Sequence, residues 1–589
     1  MKFLKEIIKN TIKGILSFFL GLFIIIIFFS ILSALFSGEK EEVITVKNNS
    51  LLHINNLSII DDRDTKPSEL NFDFGDIPLP FPLLDNSDLE QKMSLKTFER
   101  VISSAKEDDK IKGIYLNIEN ASISYNKIEK VRSILESFKE VKPIYSFSNF
   151  QSKGSYYISS VSNFNAISPP GFITVSGFGI GTFFYKSLFD EIGVNIELFR
   201  AGEYKGAAEP LVRNNFSDEN VAQYMNLLDF RMNRYVADIS KARNIKEETL
   251  IELINNYKTE LAIDAFNNDL IDSIMYEDQM LDYLKSEVDS SYNKIKLMKY
   301  SSSLEKVNKY NKNKIAILYL IGDVLPGYGD DGIYSETIIE NIKKIRDNKN
   351  IKSVILYFNS GGGSAYASDL ITREIELLQK KKPVVTYMSD VCASAAYYMS
   401  MPSDTLIASE GSVVGSIGVF AIFPDLSELL SEKIKIKSDY IKTNENIGEI
   451  DLAKPLSTKE KNLIQRGVDY FYEDFLNVVS NGRDISKDKV DQLGRGKVYY
   501  GEQSKNLNLI DIVGSLDDAI KIASDLGGEE KYQITEYPKQ KTDIEKIIGS
   551  LEMSKTITGL KKLDNWLIKS LLSGEKYDPY QMRLEYLID

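Results

Sequence analysis

Ile111-Lys112-Gly113-Ile114-Tyr115-Leu116 and Ile351-Lys352-Ser353-Val354-Ile355-Leu356 are two versions of one apolar run. Each leads into a stretch with helical spacing and then a Lys-Pro step, Lys142-Pro143 in one case and Lys382-Pro383 in the other. One residue out of that register, Ser148 through Gly177 aligns without gaps on Ser389 through Gly418. Tyr156-Tyr157 then falls on Tyr397-Tyr398, Ser159 on Ser400, Ser162 on Ser403 and Ser168 on Ser409. A period of about 240 residues is far too long for a solenoid, so two copies of one α/β unit is the economical reading.

Within each copy a short β run, a polar turn, a helix and a second β run follow one another. In the second copy Ile351–Phe358 reads as a strand and Ser364–Lys380 as a helix, with Leu370, Ile371, Ile375 and Leu377-Leu378 as its apolar positions. Val384–Tyr387 is the next strand. Such alternation implies βαβ units with parallel strands. Sites in folds of this kind gather in the loops at the carboxyl ends of the strands.

Composition narrows the chemistry. The 589 residues include 85 acidic and 72 basic side chains, a net charge of −13, with 43% hydrophobic and 27% charged residues. This length predicts several domains with sizeable cores. The acidic balance argues against broad phosphate contacts, so no nucleic-acid partner is expected. There is one histidine, His53, and one cysteine, Cys392. An intramolecular disulfide is therefore impossible, and no metal site or cofactor is expected. Any Ser-His-Asp catalysis would have to run through His53, a lone histidine in a strand-like segment (Leu51–Ile60, after Val43–Val46), where a structural role is commoner.

From Gly14 to Gly38 there are 25 residues without a charge. About 20 apolar residues span a bilayer as a helix, and a cleaved signal peptide has a shorter apolar core. Lys2, Lys5, Lys9 and Lys13 precede the run and Glu39, Lys40, Glu41 and Glu42 follow it. That asymmetry predicts an uncleaved single-pass anchor with a cytoplasmic N-terminus and the rest of the chain outside.

Two loops of the second copy are placed to carry chemistry. Asn359-Ser360-Gly361-Gly362-Gly363-Ser364 follows a strand and opens a helix, and its glycines expose backbone N–H groups. It lacks the Gly-Lys-Ser/Thr ending of a P-loop and the spacing of a dinucleotide site, so a plain turn is the alternative. The second loop, Asp390-Val391-Cys392-Ala393-Ser394-Ala395-Ala396, puts Ser394 among small residues at the start of a helix. There the next N–H would lie near a developing oxyanion. Cys392 reads as a small buried residue. With histidine effectively absent, a hydroxyl nucleophile needs another base. A desolvated lysine qualifies if its pKa falls from about 10.4 to about 7–8. Lys205, in Gly202-Glu203-Tyr204-Lys205-Gly206-Ala207-Ala208-Glu209-Pro210 after the Val194–Phe199 strand, has suitably small neighbours, although spacing alone does not select it.

These residues resemble the signal peptide peptidase A family of the long, duplicated, membrane-anchored type, also called protease IV. The family's base motif, Gly-x-Tyr-Lys-Ser-Ala-x-Glu-Pro, is met by Gly202–Pro210. Its nucleophile motif, Ala-Ser-Gly-Gly-Tyr-Trp, is met by Ala393–Tyr398, and its Asn-Ser-Pro-Gly-Gly-Ser loop by Asn359–Ser364. Val414-Gly415-Ser416-Ile417-Gly418 matches its Thr-Gly-Ser-Ile-Gly segment. The resemblance covers Met1 to about residue 540. It implies two tandem Clp-protease/crotonase-like domains after one transmembrane helix, with residues 1–38 as anchor and 39–310 and 311–540 as the repeats; residues 541–589, outside the resemblance, read as an amphipathic tail. It also implies a serine endopeptidase with a Ser/Lys dyad: Ser394 as nucleophile, Lys205 as general base, Gly362 and Ala395 N–H groups as oxyanion hole, and Ser416 orienting the lysine. The implied setting is a homotetramer in the inner (cytoplasmic) membrane, its catalytic domains on the periplasmic side, degrading cleaved signal peptides and other short apolar peptides. A crotonase-like acyl-CoA enzyme and a catalytically weakened membrane scaffold are the alternatives.

The repeat bears on the dyad by itself. Ser394 aligns with Lys153, and the segment matching Lys205 runs near Thr443–Pro455 without a lysine at the equivalent position, so each half keeps one member. Three departures from the family pattern stand out. Gly361 replaces a proline and removes a φ restraint. Ala395 and Ala396 replace glycines, which strains the chain if φ is positive and suits it if the position is helical. Gly206 replaces a serine. In the tail, Leu560, Leu563, Leu567 and Leu571 fall at helical spacing, and a helix packed on its own or a neighbouring subunit is expected.

Overall fold

A computed structural model describes Gly14, Gly21 and residues 45–55, 57–65, 92–304, 311–445, 450–540 and 580–583. Apart from those two glycines, the apolar run Gly14–Gly38 lies outside the described residues, as do the tail leucines Leu560, Leu563, Leu567 and Leu571. Among the described residues no helix is long and apolar enough to cross a membrane.

The fold is mixed α/β, and the sequence repeat reappears as two similar sheets. In the first, Ser273–Ile274, Phe164–Ile173, Ile144–Gln151, Ile111–Leu116, Ser50–Ile54 and Asn293–Lys296 lie in that order, each pair parallel. In the second, Val413–Gly415, Val384–Ala393, Ile351–Ser360, Lys314–Ile321 and Gln533–Tyr537 follow the same parallel plan, and Val498–Tyr500 adds an antiparallel edge to Val413–Gly415. Parallel strands covered on both faces are apolar throughout. Lys314–Ile321 does this by alternation, Ala316, Leu318 and Leu320 facing one core while Ile315, Ile317 and Tyr319 face another.

The helices repeat as closely. Tyr125–Lys139 and Ala365–Gln379 have 15 residues each, capped by Ser124 and Ser364, whose hydroxyls accept from the N–H groups of Lys127 and Ala367. Such caps satisfy donors that the first turn leaves free. Asp218–Arg243 and Thr458–Arg483 have 26 residues each and end on Asn244 and Asp484 in the left-handed conformation. The aligned tyrosines also do one job: Tyr156 donates to the Leu270 carbonyl at 2.9 Å and Tyr397 to that of Leu509 at 2.7 Å.

Two boundaries differ from the sequence reading. The strand expected over Val384–Tyr387 runs on to Ala393, and the polar Ser389-Asp390 step that hid its continuation is held by partners from other segments. Among the described residues 45–55 and 57–65, only Ser50–Ile54 and Ile60–Asp61 are strands, and Val43 and Ile44 lie outside the described residues.

A third sheet joins the copies. Asn195–Ala201 of the first pairs antiparallel with Val419–Asp425 of the second, Ala201 opposite Val419 and Asn195 opposite Asp425. A buried ionic cluster makes a second junction. Lys127 of the first copy lies 3.0 Å from Asp62 and 3.3 Å from Asp390, and Asp62 accepts from Tyr357 and Asn359 of the second copy. Burial opposes the charge on Lys127, but the two carboxylates more than offset it and hold the ammonium above its ordinary range. Lys127→Ala, by leaving two buried carboxylates uncompensated, is expected to lower stability by about 3–5 kcal/mol, read from the urea midpoint.

Candidate active site

The antiparallel ladder between the copies fixes where the site forms. Beyond Ala201 the first copy continues into Gly202-Glu203-Tyr204-Lys205, and just before Val419 the second copy runs through Ser416-Ile417-Gly418. The two segments therefore leave the same end of the ladder side by side. Lys205 Nζ lies 2.6 Å from Ser394 Oγ, 2.9 Å from Ser416 Oγ and 3.0 Å from the Ser416 carbonyl oxygen. Lys205 is 2% exposed and Ser394 is fully buried. Desolvation pushes the Lys205 pKa well below its ordinary value. A neutral amine suits the geometry, since its two N–H bonds serve the Ser416 oxygens and its lone pair is left for a third partner.

Ser394 follows the long strand Val384–Ala393 and precedes the helix Ala395–Ser400, with φ 59° and ψ −120°. A non-glycine residue held there stores strain of order 1–3 kcal/mol. Its N–H donates to the Gly415 carbonyl at 2.7 Å, and its hydroxyl makes no cap, which leaves Oγ aimed at Lys205. The strain sits on Ser394 alone: Ala395 is the first helical residue and is not among those with positive φ, so the alanines suit their positions. The N–H of Ala395, being at a helix start, has no partner within the helix. In the first copy the same turn is relaxed, with Ser152 at φ −64° capping its helix and Lys153 donating to the Gly177 carbonyl at 2.6 Å.

The glycine loop lies beside this turn, Ser360 opposite Cys392 in the strand register. Gly362 has φ 105°, and its N–H donates to Ser360 Oγ at 3.1 Å, so a substrate oxygen would have to displace that hydroxyl. Asn359, one residue upstream of Ser360, donates to Asp62 and Asp390 of the ionic cluster at 2.8 and 3.2 Å, which ties the loop to the junction of the copies. Gly206 has no room for the serine of the family pattern. A Cβ there would approach the Asn220 amide to 2.6 Å, and that amide is committed to buried Glu209 at 3.0 Å and Ser217 at 3.1 Å.

One element escaped the sequence reading. The turn Gly494-Arg495-Gly496-Lys497 of the second copy grips the lysine segment: the Arg495 carbonyl accepts from Tyr204 N–H at 2.9 Å, and the Lys497 carbonyl from Ser416 N–H at 2.7 Å. Gly496, at φ 88°, passes so near that a Cβ would sit 2.4 Å from the Lys205 backbone nitrogen. Its signal was the closely spaced glycines, a turn mark with no chemistry of its own.

The remaining candidates stand apart. Burial raises the Cys392 thiol well above its ordinary pKa, so it does not supply a thiolate. His53 belongs to the first copy's sheet, stacks on Tyr115 at 5.2 Å, and is lowered to about 4 by burial and then by Lys294 and Lys296. Among the described residues no cluster of His, Cys, Asp or Glu could hold a metal ion.

A buried serine–lysine pair at a strand-to-helix turn, beside a glycine loop, has the form of a serine hydrolase site. The sequence profile of peptidase family S49 matches residues 136–291 and 376–528, one stretch in each copy. The chain belongs to peptidase family S49 and is a serine protease. It is 28% identical over 549 residues to Protease 4 of Haemophilus influenzae, covering 89% of this chain and 85% of that one. It is 29% identical over 497 residues to the chloroplastic serine protease SPPA of Arabidopsis thaliana, covering 80% and 72%. Among solved structures, a ClpP1 mutant from Listeria monocytogenes covers 35% of this chain and 94% of its own at 11% identity and a TM-score of 0.25, too slight a likeness to argue from.

Because a misplacement of about 1 Å at a reacting group costs about 10²-fold, Gly496→Ala is expected to lower kcat/KM by about that factor. Far-ultraviolet circular dichroism of the variant should match the parent.

Proposed function

We propose that this serine protease works by a Ser394/Lys205 dyad on short apolar peptides, cleaved signal peptides among them. The observation that carries the reading is the 2.6 Å approach of Lys205 Nζ to Ser394 Oγ, with the lysine desolvated. Neutral Lys205 accepts the hydroxyl proton as Oγ attacks the scissile carbonyl carbon. The resulting oxyanion is held by the N–H groups of Gly362 and Ala395. The lysine ammonium then protonates the leaving amine, and the acyl-enzyme is hydrolysed by a water that Lys205 deprotonates in turn. Ser416 positions the base by accepting both of its N–H bonds.

In the same proposal residues 39–310 and 311–540 are Clp-protease/crotonase-like domains, of which four pairs assemble into a homotetramer. The charge-free run Gly14–Gly38, with lysines before it and glutamates after it, supports a single-pass anchor in the cytoplasmic membrane with the catalytic part outside. An enzyme so tethered meets spent signal peptides where they are released.

The full chain in detergent, given a synthetic signal peptide, tests the dyad. Ser394→Ala should abolish acyl-enzyme formation, and Lys205→Ala should lower kcat/KM by about 10²–10⁴, the usual share of a general base. Full activity of Lys205→Ala at neutral pH would overturn the lysine's role. In the parent, kcat/KM should rise with pH as the lysine loses its proton. Stability should follow the same sign. Between the lowered folded pKa and the unfolded value of about 10.4, unfolding takes up a proton at Lys205, so stability rises with pH. Lys205→Met should flatten that slope in urea titrations run at several pH values.

A further inference from the structure

The strand Val498–Tyr500 pairs antiparallel with Val413–Gly415, Gly415 opposite Val498, and among the described residues no strand lies beyond it. The helix Asp218–Arg243 of the first copy covers this edge. Tyr500 stacks on Phe230 at 4.6 Å between ring centres and donates to the Leu227 carbonyl at 3.2 Å. One turn earlier in the helix, Gln223 Oε1 accepts from the Val498 N–H at 3.1 Å. Both residues are buried, which keeps water from that bond.

A buried edge N–H needs an acceptor, and supplying one gives Gln223 a structural use. Its place in the chain of contacts gives it another. The Val498 N–H shares a peptide group with the Lys497 carbonyl, which accepts from the Ser416 N–H at 2.7 Å. That peptide group is planar and does not rotate about its C–N bond, so holding its N–H also sets the direction of its carbonyl. Ser416 has φ 54°, a left-handed conformation that a non-glycine residue keeps only where its surroundings impose it. In that conformation its Oγ and its carbonyl oxygen both meet Lys205 Nζ. Gln223 has a second tie to the base. Its amide donates to Asn220 Oδ1 at 3.5 Å, and Asn220 in turn donates to Glu209, four residues after Lys205.

We propose that Gln223 is a positioning residue for the peptidase reaction: it orients the Lys497–Val498 peptide so that Ser416 presents both of its oxygens to Lys205. This deepens the dyad reading and rests on it. The hydrogen bonds of Lys205 Nζ go to Ser394 and Ser416, and Gln223 acts on it only through Ser416. Its loss therefore slows the bound complex and leaves substrate affinity alone.

The test compares the full chain with Gln223→Met, which keeps an unbranched side chain without the acceptor, and Gln223→Glu, which keeps an acceptor oxygen. With a synthetic signal peptide, Gln223→Met should lower kcat by about tenfold or more at unchanged KM, and Gln223→Glu should recover most of the loss. Parental kcat in Gln223→Met would overturn the proposal, as would an equal loss in both variants or a loss carried by KM. Hydrogen–deuterium exchange read by mass spectrometry needs no activity. Peptides covering residues 413–418 and 494–500 should exchange faster in Gln223→Met than in the parent, and unchanged exchange in both would overturn the link to Ser416. If Lys205→Ala is fully active, the dyad reading fails, and exchange alone decides whether Gln223 holds Ser416.

Discussion

Everything at the candidate site depends on keeping one ammonium-bearing side chain out of water. A lysine in solvent is protonated and has no lone pair to offer, so Lys205 is of use to Ser394 only where desolvation removes its proton. Burying it requires walls from both copies: its own segment from the first, and Ser394, Ser416 and the Arg495–Lys497 backbone from the second. The antiparallel ladder Asn195–Ala201 against Val419–Asp425 brings these walls together. The Lys127–Asp62–Asp390 cluster braces the junction from the glycine-loop side.

The duplication explains why neither copy is complete. The strand-to-helix turn of the first copy has relaxed into an ordinary capped helix start at Ser152, with no strain to aim a hydroxyl and a lysine at the aligned position. The second copy kept the strained serine at φ 59°, and its segment matching Lys205, near Thr443–Pro455, has no lysine at the equivalent position. A strained backbone is retained only where its surroundings over-determine it, and here the Gly415 carbonyl and the packed helix Ala395–Ser400 do so. The departures from the family pattern read differently once packed. The alanines after Ser394 sit in a helix, and Gly206 makes room for an asparagine that ties Glu209 to Ser217.

Much of this was legible in the chain. The repeated hexamers, the Lys-Pro steps and the aligned tyrosines marked two α/β copies, because strand and helix periodicities survive where identity does not. The scarcity of histidine and cysteine forced attention onto a lysine base. Less visible was anything that works through backbone approach. Gly494-Arg495-Gly496 looked like any turn, and the continuation of the Val384–Ala393 strand was masked by Ser389-Asp390, a polar step acceptable only because Lys127 and Asn126 meet it. The Tyr580–Arg583 strand carries too short a pattern to be read at all.

Thus the sequence by itself determined the βαβ copies, the net negative charge and the scarcity of imidazole and thiol, which follow from residue type and local periodicity, while the pairing of Ser394 with Lys205 came from the resemblance of their motifs to the family's. Only the tertiary structure decided which lysine is desolvated beside Ser394, which Ser416 oxygens meet it, and that Tyr580–Arg583 pairs with the strands flanking Ser394. Those outcomes depend on desolvation and strand register between segments some 200 residues apart, and neither quantity is a property of any local stretch of chain.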